Sequence, residues 1–348
     1  METAAFESKE QSANRWALMG LLRFAVLATP VAFTHFVGFG NHLWAAETFI
    51  FRALGGYPGV IGFFVVSGYC IAASLDRGSA GFYQRRAWRI YPTYIACSAL
   101  AMVPYIVGNG GVSLPNGFTE RFPSIATFAG CATIAENLFA VARLGFRSID
   151  PIGQNWSLTC EIAYYILAPW LLRTSDKAIL RLAAASVLVY YLHNAISPNK
   201  FSEETCGIAV PGLMWAWLAG FLFYRHRGCE RAWCYLAIVV IPVATSNIQE
   251  LNPLRSISLA LTCLTFAPFV QVRLATRVRS LFVLLGDVSY PLYLSHFAVL
   301  WFVMGWAGNR DMSPYFDYAI YALCVAVAFV LHFAIEVPVR AHLRLRHA

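Results

Sequence analysis

At 348 residues, 59% hydrophobic and only 13% charged, with a mean hydropathy of +0.57, the chain is too apolar for a soluble domain, which carries about 25% charged residues. It reads as an all-α, polytopic membrane protein, and its formal charge of +8 points to the bias of membrane loops rather than to nucleic acid. Nine cysteines show no CxxC and no Cys/His spacing suited to a metal, so neither a zinc site nor a disulfide framework is expected.

Residues 1–15 lack a cleavable signal pattern and read as a cytoplasmic tail. The first span, 16–38, carries Arg23 and His35. Lipid penalises an ionisable group unless it faces a protein interior or an aqueous cavity, so both are functional candidates. Their separation rises about 18 Å and turns His35 about 120° from Arg23 on a regular helix. A one-residue bulge near Pro30 would bring that angle down to about 20°.

Further apolar runs fall at 57–75, 87–108, 156–172, 182–195, 207–224, 232–247, 254–271, 281–304 and 317–337, ten in all. The run 182–195 is short. The segment 124–142, interrupted by Glu136 and Asn137, reads as an extracytoplasmic re-entrant or surface helix. With ten spans and both termini inside, eighteen of the twenty-six Lys and Arg residues lie on the inner side, seven lie outside, and Arg23 is within a span. Counting 124–142 as a crossing reverses that bias for the loops after it. The expected organisation is a tail (1–15), a transmembrane domain (16–337) and a cytoplasmic C-terminal tail (338–348).

Four stretches carry chemistry. The loop after the second span enters QRRAWRIYP, where Arg86 and Arg89 share one helix face. Paired arginines suit bidentate phosphate recognition, and Trp88 and Tyr91 beside them suit stacking on a purine; the same residues also fit an ordinary inner loop. In GQNWSLTCEIAYYILAPW, Ser157, Glu161 and Tyr165 recur every four residues, as a base, an anchor for histidine or a structural clamp. In LFVLLGDVSYPLYLSHFAVLW, Ser289, Tyr293 and His296 share a face. The ten-span topology sets His35, Glu161 and His296 at similar depth in the outer half, opposite the arginines. Glu336, Pro338 and Arg340 at the end of the last span read as structural.

Six motifs stand in one order along nearly the whole chain: the Arg23–His35 span, FFVVSG (63–68), the RxxR of 86–89, WSLTCE (156–161), LGDVSYPLYLSH (285–296) and IEVP (335–338). In these the chain resembles the acyltransferase-3 family of integral membrane O-acyltransferases, which includes bacterial O-antigen (lipopolysaccharide), exopolysaccharide and Nod-factor O-acetyltransferases. The resemblance implies a multi-pass protein of the bacterial inner membrane with about ten helices. It implies acyl-CoA, usually acetyl-CoA, as donor substrate, and a hydroxyl on an extracytoplasmic or lipid-linked glycan as acceptor. It makes His35 catalytic, and makes Arg23, Arg86 and Arg89 donor-linked, with Trp88 beside them. The family leaves ten residues between its Arg and His; this chain leaves eleven, Pro30 among them.

Together these yield an expected mechanism. Coenzyme A docks on Arg86 and Arg89 from inside, its arm passes Arg23, and His35 acts as general base on an acceptor hydroxyl, oriented by Glu161 or His296. Membrane lipid surrounds the site, with no metal and no nucleic acid. A secondary transporter of an anionic amphiphile also needs intramembrane Arg and His, but should show two related halves. A non-catalytic membrane sensor has no need of arginines opposite a His/Glu layer.

Overall fold

The computed structural model describes residues 9–39, 44, 57–108, 111–113, 119–121, 153, 156–196, 206–245, 272–307 and 314–347. The first helix runs from α1 (Lys9–Leu22) through a π-helical turn (Arg23–Ala28) into α2 (Thr29–Phe39). Then come α3 (Tyr57–Asp76), α4 (Phe82–Leu100), α5 (Val103–Val107), and a ribbon of β1 (Gly111–Ser113) antiparallel to β2 (Thr119–Arg121). They are followed by α6 (Trp156–Leu171), α7 (Asp176–Ile196), α8 (Cys206–Arg225), α9 (Ala232–Thr245) and α10 (Thr276–Ala307). A second π turn (His332–Glu336) joins α11 (Pro314–Leu331) to α12 (Val337–His347).

Nine of the ten expected spans are helical among the described residues; 254–271 and the 124–142 segment lie outside them. Seven helices there are long and apolar enough to cross a membrane. The protein is a multi-pass integral membrane protein. The ribbon departs from an all-helical reading: strands of three residues, one opening on Gly111, leave no alternating pattern to detect. The short run 182–195 belongs to a 21-residue helix. Its first turn holds Asp176 and Lys177 and follows a Ser175 cap, whose Oγ accepts from the Ala178 N–H at 3.4 Å. Those polar starters lower hydropathy without ending the helix.

The bundle has a centre and a periphery. Windows of α3 and α8 are 89% and 72% buried, against 28% for α7 and for α11, so the first pair forms the hub and the second meets lipid. Exposed Ile166, Trp170, Leu188, Leu192 and Val330 belong to that lipid-facing belt.

The hub closes on two glycines. A Cβ built on Gly68 would lie 1.9 Å from the Trp217 carbonyl oxygen, and one on Gly220 would lie 1.9 Å from that of Val65. Small residues let membrane helices approach this closely, and the gain is van der Waals contact. Because the obstacle is backbone, Gly68→Ala or Gly220→Ala has no side chain to displace. Each is expected to destabilise by about 3 kcal/mol or more, read as a lowered unfolding temperature in detergent. An unchanged temperature would refute the packing.

One apolar cluster lies around α3, α6 and α8, and another around α2, α10 and α11. A polar cavity opens between them.

Candidate active site

The cavity, about 150 Å³, lies where the first π turn, α3, α4, α6 and α10 meet. Three arginines line it: Arg23, Arg86 and Arg89. Arg86 donates from Nη2 to Ser74 Oγ at 2.6 Å, while its Nε is buried without a hydrogen-bond partner. Arg89 sits over the Tyr290 ring at 5.8 Å. Arg23 makes no hydrogen bond or ion pair among the described residues. Arg85 is diverted: its guanidinium bonds the Ala80 and Gly78 carbonyls in the loop before α4, where Gly78 and Gly81 take positive φ. Trp88 is not on the cavity wall and is 39% exposed. Two residues along a helix from Arg86 is about 200° around it, the opposite face.

Glu161 also lines the cavity. Its Oε1 accepts from Ser67 Oγ at 2.6 Å and from Tyr165 OH at 2.5 Å, and Trp217 Nε1 donates to Ser67 Oγ at 3.3 Å. Glu161 is therefore grouped with the arginines rather than with the histidines expected at its depth. Its neighbour on the same face, Ser157, one turn away, instead meets Tyr293 OH at 2.7 Å.

Tyr293 also lines the cavity, and one turn further along α10 stands His296, ring centroids 6.1 Å apart. His296 is 1% exposed and meets His35, Nδ1 to Nε2, at 2.9 Å. His296 Nδ1 lies 3.1 Å from the Leu292 carbonyl oxygen, which can only accept, so Nδ1 carries the hydrogen. Nε2 of a neutral His296 then holds a lone pair and receives the Nδ1–H of His35. That tautomer makes Nε2 the basic nitrogen of His35.

A bulge that can absorb the extra residue between Arg23 and His35 is present as the Arg23–Ala28 π turn, which ends two residues before Pro30. Thr29 closes it, with backbone N–H and Oγ1 both donating to the Phe24 carbonyl, the latter at 2.9 Å. With the extra residue absorbed, one helix presents Arg23 to the cavity and His35 to α10.

A polar knot adjoins the cavity behind Arg89. Arg340 donates to both Asp287 oxygens at 2.9 and 3.3 Å and to Glu336 Oε2 at 2.8 Å, and His332 Nδ1 lies 2.9 Å from Glu336 Oε2. The second π turn holds His332 and Glu336. Ser67, Cys70, Tyr290 and Asp287 were not singled out from sequence; the available signal was polar residues inside the quoted FFVVSG and LGDVSY stretches for Ser67, Asp287 and Tyr290, and none for Cys70, which lies two residues beyond FFVVSG.

A family model described as an acyltransferase domain (acyltransferase-3) matches residues 25–333. The chain belongs to the acyltransferase-3 family. Nodulation protein 10 of Rhizobium leguminosarum bv. viciae is 27% identical over 335 residues, covering 87% of this chain and 88% of that protein. No solved structure matches. As an acyltransferase-3 member the protein is a membrane acyltransferase. The matched region contains His35, Arg86, Arg89, Glu161 and His296; Arg23 lies two residues before it and Glu336 three beyond.

Proposed function

We propose that the protein is an O-acyltransferase that moves an acyl group, most simply acetyl, from cytoplasmic acyl-CoA to a hydroxyl of an extracytoplasmic or lipid-linked glycan. One observation carries this reading: a cavity lined by three arginines is also lined by a tyrosine whose ring lies 6.1 Å from His296, one of a hydrogen-bonded histidine pair. The arginine end suits the phosphates of coenzyme A, which is too charged to cross lipid. The histidine end suits a hydroxyl acceptor. With the ten spans and cytoplasmic termini favoured by the charge distribution, the first end faces in and the second out, across the inner membrane of a bacterium. The working unit is then 16–337, between two short tails.

In this reading Arg86 and Arg89 hold the donor phosphates, and the thioester arm runs past Arg23 and Glu161. His35 Nε2 takes the proton from the acceptor hydroxyl, and the oxygen attacks the thioester carbonyl carbon. The C–S bond breaks, the electron pair leaves on sulfur, and the proton held by His35 returns to the thiolate as free CoA. His296 keeps the His35 tautomer fixed throughout. Proton transfer of this kind contributes typically about 10²–10⁴-fold; positioning donor and acceptor across the bilayer supplies much of the rest.

The test is CoA release by purified protein given acetyl-CoA and surface glycan, with mass spectrometry of the glycan. Stoichiometric CoA release and acyl mass gain are expected. CoA release without glycan dependence, or neither product, would overturn the proposal.

A further inference from the structure

Arg89 stands between the cavity and the knot behind it. Its Nη1 lies 3.8 Å from Glu336 Oε2 and 4.0 Å from Asp287 Oδ1, beyond hydrogen-bond distance, and it donates no hydrogen bond among the described residues. Both carboxylates are instead taken by Arg340, which bonds Asp287 through a two-point fork and Glu336 through Nη2. Glu336 also receives His332 Nδ1 at 2.9 Å on Oε2 and Thr93 Oγ1 at 3.4 Å on Oε1, so with Arg340 both lone pairs of Oε2, the oxygen nearest Arg89, are taken. Glu336 and His332 are 4% and 3% exposed. A buried carboxylate that loses one cation draws in the next, because leaving it unpaired is far more costly than re-pairing it. The next cation here is Arg89.

We propose that Arg340 is a positioning residue for the donor site: by occupying Asp287 and Glu336 it keeps the guanidinium of Arg89 available to the cavity. This rests on the reading of Arg86 and Arg89 as the donor phosphate site. The two carboxylates attract Arg89 electrostatically and hold it near the wall, yet consume none of its fork. Without Arg340 they would take that fork, turning a ligand-binding arginine into a structural one.

Equilibrium binding to purified protein tests this with two donors, acetyl-CoA and S-acetylpantetheine, which keeps the thioester arm but has no phosphate. Wild type should prefer acetyl-CoA. Arg340→Met should weaken acetyl-CoA by about tenfold, the worth of a charge-assisted hydrogen bond, and leave S-acetylpantetheine unchanged. Arg340→Met with Glu336→Gln removes a cation and a competing carboxylate together, so acetyl-CoA affinity should return to within about threefold of wild type. A merely structural role predicts the reverse, with the double variant worse than the single and both donors affected alike. An acetyl-CoA preference in Arg340→Met as large as in wild type overturns the proposal alone; no preference in wild type overturns the donor site and the proposal with it. If Arg340→Met does not fold, Arg340→Lys keeps the charge but cannot fork across both carboxylates. It should lose about threefold, and no loss would be equally fatal.

Discussion

His35→Ala is expected to abolish acyl transfer while acetyl-CoA still binds. In the proposed reading the donor phosphates dock on α4, whereas His35 is off the cavity wall, against His296 at 2.9 Å. The loss should be about 10²–10⁴-fold in turnover, followed as CoA release, with the donor Kd unchanged. His35→Gln should be as inactive as Ala, since an amide can hydrogen-bond but cannot take a proton. His296→Ala should be milder: it removes the acceptor that fixes the His35 tautomer but leaves the base. If His35→Ala turns over normally and His296→Ala does not, the base is His296. The π turn adds a second check. Deleting Thr29 together with Pro30→Leu removes the residue the turn absorbs, so a regular helix should align Arg23 with His35 and keep part of the activity.

Arg86→Ala and Arg89→Ala should each weaken acetyl-CoA binding by about 10–100-fold at low salt, and the difference from wild type should shrink as ionic strength rises, because salt screens the phosphate contacts that the variants have lost. Lys at either position keeps the charge and loses the fork, so it should rescue only partly. The two residues are not equivalent. Arg86 is anchored through Ser74 and leaves a buried Nε unpaired, so its alanine variant also frees Ser74. Ser74→Ala separates the effects: it removes the anchor and keeps the guanidinium. Unchanged affinity in the Arg86/Arg89 double alanine variant, measured by calorimetry at low salt, would remove the donor site from α4.

What could be read in advance follows from physical range. Apolar length marks spans because lipid tests each residue by itself, and nine of ten runs are helical among the described residues. The extra residue between Arg23 and His35 left two outcomes, a bulge or a displaced histidine, and the π turn is the first of them; the question could be posed from sequence because helical phase is a local property. The companionship of Glu161 was not legible. Depth alone placed it with the histidines, while its partners, Ser67 and the arginines, come from α3, α4 and the first helix, and nothing local encodes which faces meet. The same holds for Arg340, whose fork closes on a carboxylate 53 positions away. Read alone it was a structural end to the last span. Trp88 lies off the cavity wall for a simpler reason: adjacency to Arg89 in sequence is not adjacency on a helix surface.

The α3–α8 glycine seam has a consequence for biogenesis. Gly220 belongs to the helix that also supplies Trp217, the donor to Ser67, and Ser67 in turn donates to Glu161. Residues 57–76 enter the bilayer with their polar serine long before residues 206–225 have been synthesised. Until the later helix leaves the ribosome and locks against the earlier one, the carboxylate wall of the cavity is unfinished. A nascent chain stalled before residue 206 would therefore hold all three arginines and His35 yet lack the helix that closes the hub. Such intermediates are natural clients for membrane chaperones and quality-control proteases, and a seam-blocking Gly220→Ala chain should be degraded as though it were truncated.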